Sequence, residues 1–499
     1  MIVMRSLRFC AVFCLFCLCL TGAAFYLYSR ALTPGFAEVT VLQTTDVHGA
    51  RNFARFGPVI DGERKRDPEL LLIDCGDLTQ GTLETSLDGG LHMVDALNAF
   101  RYDVWIPGNH EFDYGAGIFA RNARRFSGRV LAANLRFEGC PFREWKMFRR
   151  HGLKIAVIGC IPPFLKLWIA APQLAGVETE SPEAMLERVM PEVRAAKPDI
   201  IVLAIHLGEF SAGRLHEDGK PRNLGALLAR FPEIALVLGG HTHESVAGKR
   251  LPSGAWFVQA PFAGKGLMKV TVRYDLGKKR VKNITSEILP PAENRTETMP
   301  GSWNEINALA DRERQEIIAE LPDSLAIGPV RNPSTDCPMA RLCAKAIRTA
   351  SGADAGFSMT YSKYEQTGGV LTGDTLFRLI PYENFITVLT LDAEELKRIR
   401  TEQLNLKQPH NYLFEDGIRF ELSSGGRQAL RVFRTDGREI TGGERITAAF
   451  GSYAVSGAGG RYPVLKSIAE SGKVNRRDTE LTVRGAFRDL IGKEYGPKP

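Results

Sequence analysis

Val104-Trp105-Ile106-Pro107-Gly108-Asn109-His110-Glu111-Phe112-Asp113 runs from a short apolar stretch straight into a cluster of polar, titratable side chains. An unbroken apolar run of this length reads as a strand buried on both faces. A glycine at its end lets the backbone turn and come close to a neighbour. The same construction recurs along the chain. Val39 to Thr44 leads into Thr45-Asp46-Val47-His48, and Leu70 to Asp74 leads into Cys75-Gly76-Asp77. Asp199 to Ile205 ends on His206, and Ile234 to Leu238 opens into Gly239-Gly240-His241-Thr242-His243. Lys154 to Ile158 is a further strand-like run. Helical patterns over Leu91 to Phe100 and Pro182 to Ala196 lie between these strands. The alternation predicts a layered α/β domain over roughly residues 36–290. In open α/β sheets, sites assemble at the carboxyl ends of strands, which is where all five polar motifs fall.

Five of the nine histidines sit in these motifs: His48, His110, His206, His241 and His243. Carboxylate, imidazole and amide oxygen without thiolate suit divalent cations such as Mn, Zn, Mg, Co or Fe. Asp46 and His48 are two apart, so on a strand they share a face, and His241 and His243 repeat that spacing. Taken singly, an Asp-x-His or a Gly-Asp after a strand is an ordinary turn. Five such motifs in order point to one metal-dependent site, and a carboxylate shared between two cations suits in-line phosphoryl displacement.

The chain has 499 residues, which predicts two large domains. Its net charge of +7 is scattered, whereas a nucleic-acid binder would concentrate it on one stripe, so no polymeric nucleic acid is expected as partner. Residues 1–30 carry Arg5 and Arg8 ahead of an apolar run, residues 9–28, and read as an export segment. It is either a cleaved signal peptide or a retained membrane anchor, and the protein is expected in the periplasm or facing the exterior. Four of nine cysteines lie in that segment. The other five, Cys75, Cys140, Cys160, Cys337 and Cys343, leave room for one or two disulfides but form no disulfide scaffold. Leu289-Pro290-Pro291-Ala292-Glu293-Asn294 breaks the pattern and opens a linker over 291–324, with a polar helix expected over Trp303 to Ala319. A second mixed α/β unit, residues 325–499, begins with a helix around Met339 to Thr349.

The order and wording of the five motifs resemble the calcineurin-like metallophosphoesterases, and within them the 5′-nucleotidase, UDP-sugar hydrolase and 2′,3′-cyclic phosphodiesterase group. The resemblance runs from Val39 to about Leu490. It implies a four-layer α/β/β/α N-terminal domain followed by a smaller α/β substrate-binding domain that closes over the metals, with the polar helix as hinge. It implies that Asp46, His48 and His243 hold one divalent cation, that Asn109, His206 and His241 hold a second, and that Asp77 bridges them. His243 stands where many relatives carry Gln or Asn. The implied reaction is phosphate release by hydroxide attack. His110, oriented by Asp113, would stabilise developing charge and assist the leaving oxygen, and Asn109 would also touch substrate.

Ile380-Pro381-Tyr382-Glu383-Asn384 resembles the family's Pro-Phe-x-Asn motif. By that resemblance Tyr382 and Tyr453 would sandwich a base and Asn384 would hydrogen-bond it. A flat heteroaromatic ring binds well between two aromatic faces. Two departures stand out. The glycine-rich loop that carries an arginine in relatives reads Ser358-Met359-Thr360-Tyr361-Ser362-Lys363 here, leaving Lys363 as the available cation. The later loop reads Gly457-Ala458-Gly459-Gly460-Arg461-Tyr462-Pro463, without the relatives' Asp, and Arg461 there offers the lost positive charge. The leading expectation is an exported nucleotide phosphohydrolase. The alternatives are a 2′,3′-cyclic-nucleotide phosphodiesterase, another phosphoester hydrolase, or a catalytically silent surface binding protein.

Overall fold

The computed structural model describes residues 35–209, 223–296, 299–328, 337–406 and 412–496. The expected export segment, residues 1–30, lies outside the described residues.

Two sheets form the N-terminal part. The first runs in the order Arg280–Leu289, Leu267–Asp275, Phe36–Thr44, Leu71–Asp74, Val104–Trp105, Arg129–Leu131, Phe142–Arg143. Its strands from Phe36–Thr44 onward are mutually parallel, and the first two pairings are antiparallel. The second runs Val246–Arg250, Trp256–Gln259, Ile234–Leu238, Ile200–Ile205, Leu153–Cys160, Trp145–Arg150, with a parallel centre and antiparallel edges. Parallel strands need both faces covered. Alternate residues of Leu153–Cys160 therefore go opposite ways. Ile155 and Val157 join a core shared with Val41, Ile73 and Val270 of the first sheet. Ala156 and Ile158 pack with Met185, Leu186, Val189 and Val193 of the helix Pro182–Ala195. Helices Leu91–Ala99 and Ala116–Arg125 bury Met93, Leu97 and Phe119 against the first sheet. The result is the expected α/β/β/α sandwich.

The C-terminal part is a five-stranded sheet in the order Phe414–Asp416, Ala355–Ser358, Arg445–Gly451, Phe385–Asp392, Arg476–Thr482. Helices Pro338–Ser351 and Val483–Tyr495 share one core with it, and Ala393–Leu404 and Pro463–Glu470 share the other.

Between the two parts the polar helix spans Gly301–Gln315 and stops short of the expected Ala319. Glu316 leaves helical geometry at φ −59°, ψ 123°, and Ile317–Ile327 is a strand paired with Gln366–Thr372. The β-branched pair Ile317-Ile318 and the cross-strand partner override the helical pattern read locally. No disulfide links the five cysteines of the described residues. Cys75, Cys160, Cys337 and Cys343 are buried as small apolar side chains, and burial raises the thiol pKa at Cys75, Cys160 and Cys343. The room left for disulfides in the sequence is not used. Among the described residues no helix is long and apolar enough to cross a membrane.

Candidate metal centre and its cavity

Each metal-type side chain follows the carboxyl end of a strand. Asp46 and His48 come after Phe36–Thr44, Asp77 after Leu71–Asp74, and Asn109 after Val104–Trp105. His206 follows Ile200–Ile205 in the second sheet, and His241 and His243 follow Ile234–Leu238. Asp46, His48, Asp77, His241 and His243 all have left-handed backbones, with φ of 51°, 51°, 53°, 74° and 58°. Non-glycine residues adopt this region at a cost, and such strain gathers at functional sites. Backbone hydrogen bonds offset it: Asp46 N–H donates to the Gly76 carbonyl at 2.8 Å, His48 N–H to Asp77 at 2.9 Å and Gly49 N–H to Leu78 at 2.9 Å.

The side chains converge into two groups. Ligand atoms of Asp46, His48, Asp77 and His243 lie within 4.8 Å of one another, and so do those of Asp77, His206 and His241. Asp77 is common to both. The imidazole tautomers are set from behind. His48 Nδ1–H donates to the Gln80 carbonyl at 3.1 Å, which leaves Nε2 to face the Nε2 of His243 at 3.0 Å. His206 Nδ1–H donates to the Cys75 carbonyl at 2.5 Å and turns its Nε2 toward Asp77 at 3.0 Å and Asp46 at 3.8 Å. Such second-layer bonds orient metal-ligating histidines. The two Nε2 atoms face each other closely enough for a common cation between them to take both. Asn109 Oδ1 is buried with no hydrogen-bond partner, which is costly unless a cation takes it. The donor set therefore fits two divalent cations bridged by Asp77.

On the protein's own charges, burial pulls the two carboxylates one way and the histidines pull them the other. Asp77 resists burial because His206, His110 and His48 hold it well below the usual carboxylate range. Asp46 is pushed up by burial and by its neighbour Asp77, against His206. Burial lowers His48 to about 3. His206 and His110 rise to about 10 despite burial, because carboxylates face them.

Glycine has a specific task here. A Cβ on Gly108 would meet the Asp77 carboxylate at 2.2 Å, and one on Gly76 would meet the Gly108 nitrogen at 2.5 Å. The two loops touch only because neither carries a side chain.

His110 lies at the rim. Its Nδ1–H donates to Asp113 at 2.8 Å, and its backbone N–H donates to Asp77 at 2.9 Å. Sequence reasoning left Glu111 without a role. It is buried, and its carboxylate accepts N–H bonds from Asp77, Leu78, Thr79 and Gly108 at 2.6–3.1 Å and the Thr79 hydroxyl at 3.2 Å. It locks the Asp77 turn to the Asn109 loop. The signal available was an acid inside a motif of ligands with no position left for it on the metals.

A cavity of about 980 Å³ joins this cluster to the C-terminal part, with Asp77, His110 and His243 on one wall and Lys363, Tyr382 and Tyr453 on the other. Tyr382 lies parallel to the His110 ring, 17° between planes and 6.3 Å between centroids. Asn384 also lines the cavity, and its Oδ1 accepts the Tyr453 backbone N–H at 3.2 Å, so it holds one aromatic in place. Arg461 donates to the Tyr453 hydroxyl at 2.8 Å and faces the same space. The N-terminal loop with Trp168 closes one side. The Gly459 N–H donates to the Leu167 carbonyl at 2.9 Å, and Trp168 sits 5.0 Å from His241.

Comparison with known proteins agrees with this geometry. The calcineurin-like phosphoesterase family matches residues 39–245, and the 5′-nucleotidase C-terminal domain family matches residues 318–467. Residues 39–245 thus form a calcineurin-like phosphoesterase domain, and residues 318–467 behind it match the C-terminal domain of 5′-nucleotidases. Among curated relatives it is 27% identical to protein UshA of Escherichia coli over 288 residues, 51% of this chain and 52% of that one. It is 26% identical to a 2′,3′-cyclic-nucleotide 2′-phosphodiesterase/3′-nucleotidase of Haemophilus influenzae over 42% of this chain and 37% of that one. The chain spans about half the length of the first of these relatives. A Staphylococcus aureus structure assigned as a 5′-nucleotidase covers 92% of this chain and 98% of its own, with TM-score 0.75 at 20% identity, which shows a shared fold.

Proposed function

We propose that this protein is an exported, two-metal phosphohydrolase that releases phosphate from nucleotides or nucleotide diphosphate derivatives. The observation that carries the reading is the single cavity in which the Asp77-centred cluster, the His110–Asp113 pair and the two tyrosines meet. In this reading Asp46, His48 and His243 hold one cation, Asn109, His206 and His241 the other, and Asp77 both. The cations supply Lewis acidity: they neutralise phosphoryl charge and lower the pKa of water. His110, held by Asp113, presents a protonated Nε2 to the phosphoryl group and passes that proton to the leaving oxygen. Tyr382 and Tyr453 take the base, with Asn384 fixing Tyr453, and Lys363 and Arg461 supply positive charge in place of the arginine that relatives carry. The names of two relatives, a 2′,3′-cyclic-nucleotide 2′-phosphodiesterase/3′-nucleotidase and a 5′-nucleotidase, support nucleotide phosphoesters as the substrate class. The charge and apolar run of residues 1–30 support export, by a signal peptide or an N-terminal anchor.

The test assays the purified protein with Mn²⁺ on AMP, UDP-glucose, 2′,3′-cyclic AMP and bis-p-nitrophenyl phosphate, alongside Asp77→Ala and His110→Ala. Nucleotide turnover that both variants lose supports the reading. Turnover of the aryl diester alone would keep the metal centre and reject the base clamp. No turnover of any substrate with any divalent cation would leave a binding protein.

A further inference from the structure

The first half of the aromatic clamp sits on an irregular segment. Ile380 to Asn384 belongs to neither a helix nor a strand, so ties from outside must fix Tyr382. Two of them converge on one side chain. Arg484, in the first turn of the helix Val483–Tyr495, donates from Nη1 to the Ile380 carbonyl at 2.9 Å and pairs through Nη2 with Glu383. Its guanidinium lies over the Phe377 ring, 4.9 Å from the centroid. The preceding Val483 N–H donates to the Asn384 carbonyl at 2.8 Å. Arg484 thus grips both ends of the segment that presents Tyr382.

The surroundings are costly for a charge. The Arg484 and Glu383 side chains are 14% and 11% exposed. A buried ion pair is a weak source of stability, since well-packed apolar side chains often do as well. Its use is geometric: a planar fork fixes direction where an apolar contact would slide.

We propose that Arg484, paired with Glu383, is a positioning residue that sets the place of Tyr382 relative to the metal cluster, and so sets affinity for base-bearing substrates without touching them. The proposal rests on the phosphohydrolase reading above and deepens its recognition half. A purely stabilising pair would affect every substrate alike.

The experiment measures kcat and KM of the full chain for AMP and for bis-p-nitrophenyl phosphate, which has no base, in Arg484→Met, Arg484→Lys and Glu383→Gln. Arg484→Met should raise KM for AMP about tenfold and leave kcat and the diester kinetics within about twofold. Glu383→Gln should move the same way, and Arg484→Lys should recover part of the loss. Equal losses on both substrates, or an unchanged KM for AMP in soluble, folded variants, would overturn it. Hydrogen exchange of residues 376–386 gives a readout that needs no nucleotide turnover. If the wild-type protein cleaves only the diester, the nucleotide reading fails by itself. Faster exchange confined to that segment in Arg484→Met would then still support the positioning role, and unchanged exchange would overturn it.

Discussion

Replacing Asp77 with asparagine keeps the shape of the shared ligand and removes its charge. We expect Asp77→Asn to lower kcat at least a thousandfold and to lower metal content measured by mass spectrometry. His110→Gln should lower kcat about a hundredfold or more while both cations stay bound, because His110 is not in either ligand group. Unaltered turnover in that variant would remove His110 from the chemistry. Glu111→Gln is a different case. It turns an amide NH₂ toward donors that now share a carboxylate, so unfolding in urea should show a loss of about 2–4 kcal/mol together with reduced activity. At this scale the sequence was readable where chemistry demands a residue type. Asp46, His48, Asp77, Asn109, His206, His241 and His243 were singled out from carboxylate, amide and imidazole after strands, and the fold gathers the Asp and His members into two candidate groups. Glu111 was not, because its partners are backbone N–H groups of a loop distant in sequence. Arg484 was not, because an arginine opening a helix looks like any solvated charge.

The helix Gly301–Gln315 shows how an element is held. Arg314 donates to Glu84 at 2.7 Å, Arg51 bonds Asp311 at 2.6 Å, and Ser302 donates to Asp95 at 2.8 Å, tying it to the N-terminal part. On the other side Glu316 pairs with Arg488, and the Gly373 N–H donates to the Glu316 carbonyl at 3.0 Å. Glu84 is buried. Burial works against its charge, but bonds from Arg314 and Arg51 lower its pKa to about 2. A depressed carboxylate stabilises the fold above its unfolded pKa and loses that contribution as pH falls through the folded one. The contribution should therefore be intact above about pH 5 and fade between about 4.5 and 2. Unfolding free energies of the wild type and Glu84→Gln should differ by about 2–3 kcal/mol at pH 7 and converge near pH 2. A gap that did not shrink in acid would dissociate Glu84 from the network. The element's start was legible and its end was not. The polar pattern continues past Gln315, and only the partner strand Gln366–Thr372 explains why Ile317 is extended.

At the scale of the molecule, the candidate ligands come from both sheets, Asp46 to Asn109 from one and His206 to His243 from the other. Cation binding should therefore support the sandwich as a whole. With cation at about 100 times Kd, linkage contributes about 2.7 kcal/mol. EDTA should abolish turnover and lower the melting temperature by a few degrees, and Asp77→Ala should blunt that thermal response. A melting temperature indifferent to EDTA in the wild type would mean that the sandwich holds without the cations. The two-part plan was legible in the proline break at residues 290–291 and the change in pattern after it. The shared cavity was not, because which loops meet across it depends on how the parts dock.

One consequence lies in the span of chain that the ligand set covers. Asp46 is the first of its residues and His243 the last, and Asp77 serves both groups. No half-made sandwich owns a complete set, so the cation is chosen late, when the second sheet settles on the first. Refolding the chain with and without Mn²⁺ should therefore leave the early phases alike and separate only the last one, followed by stopped-flow fluorescence.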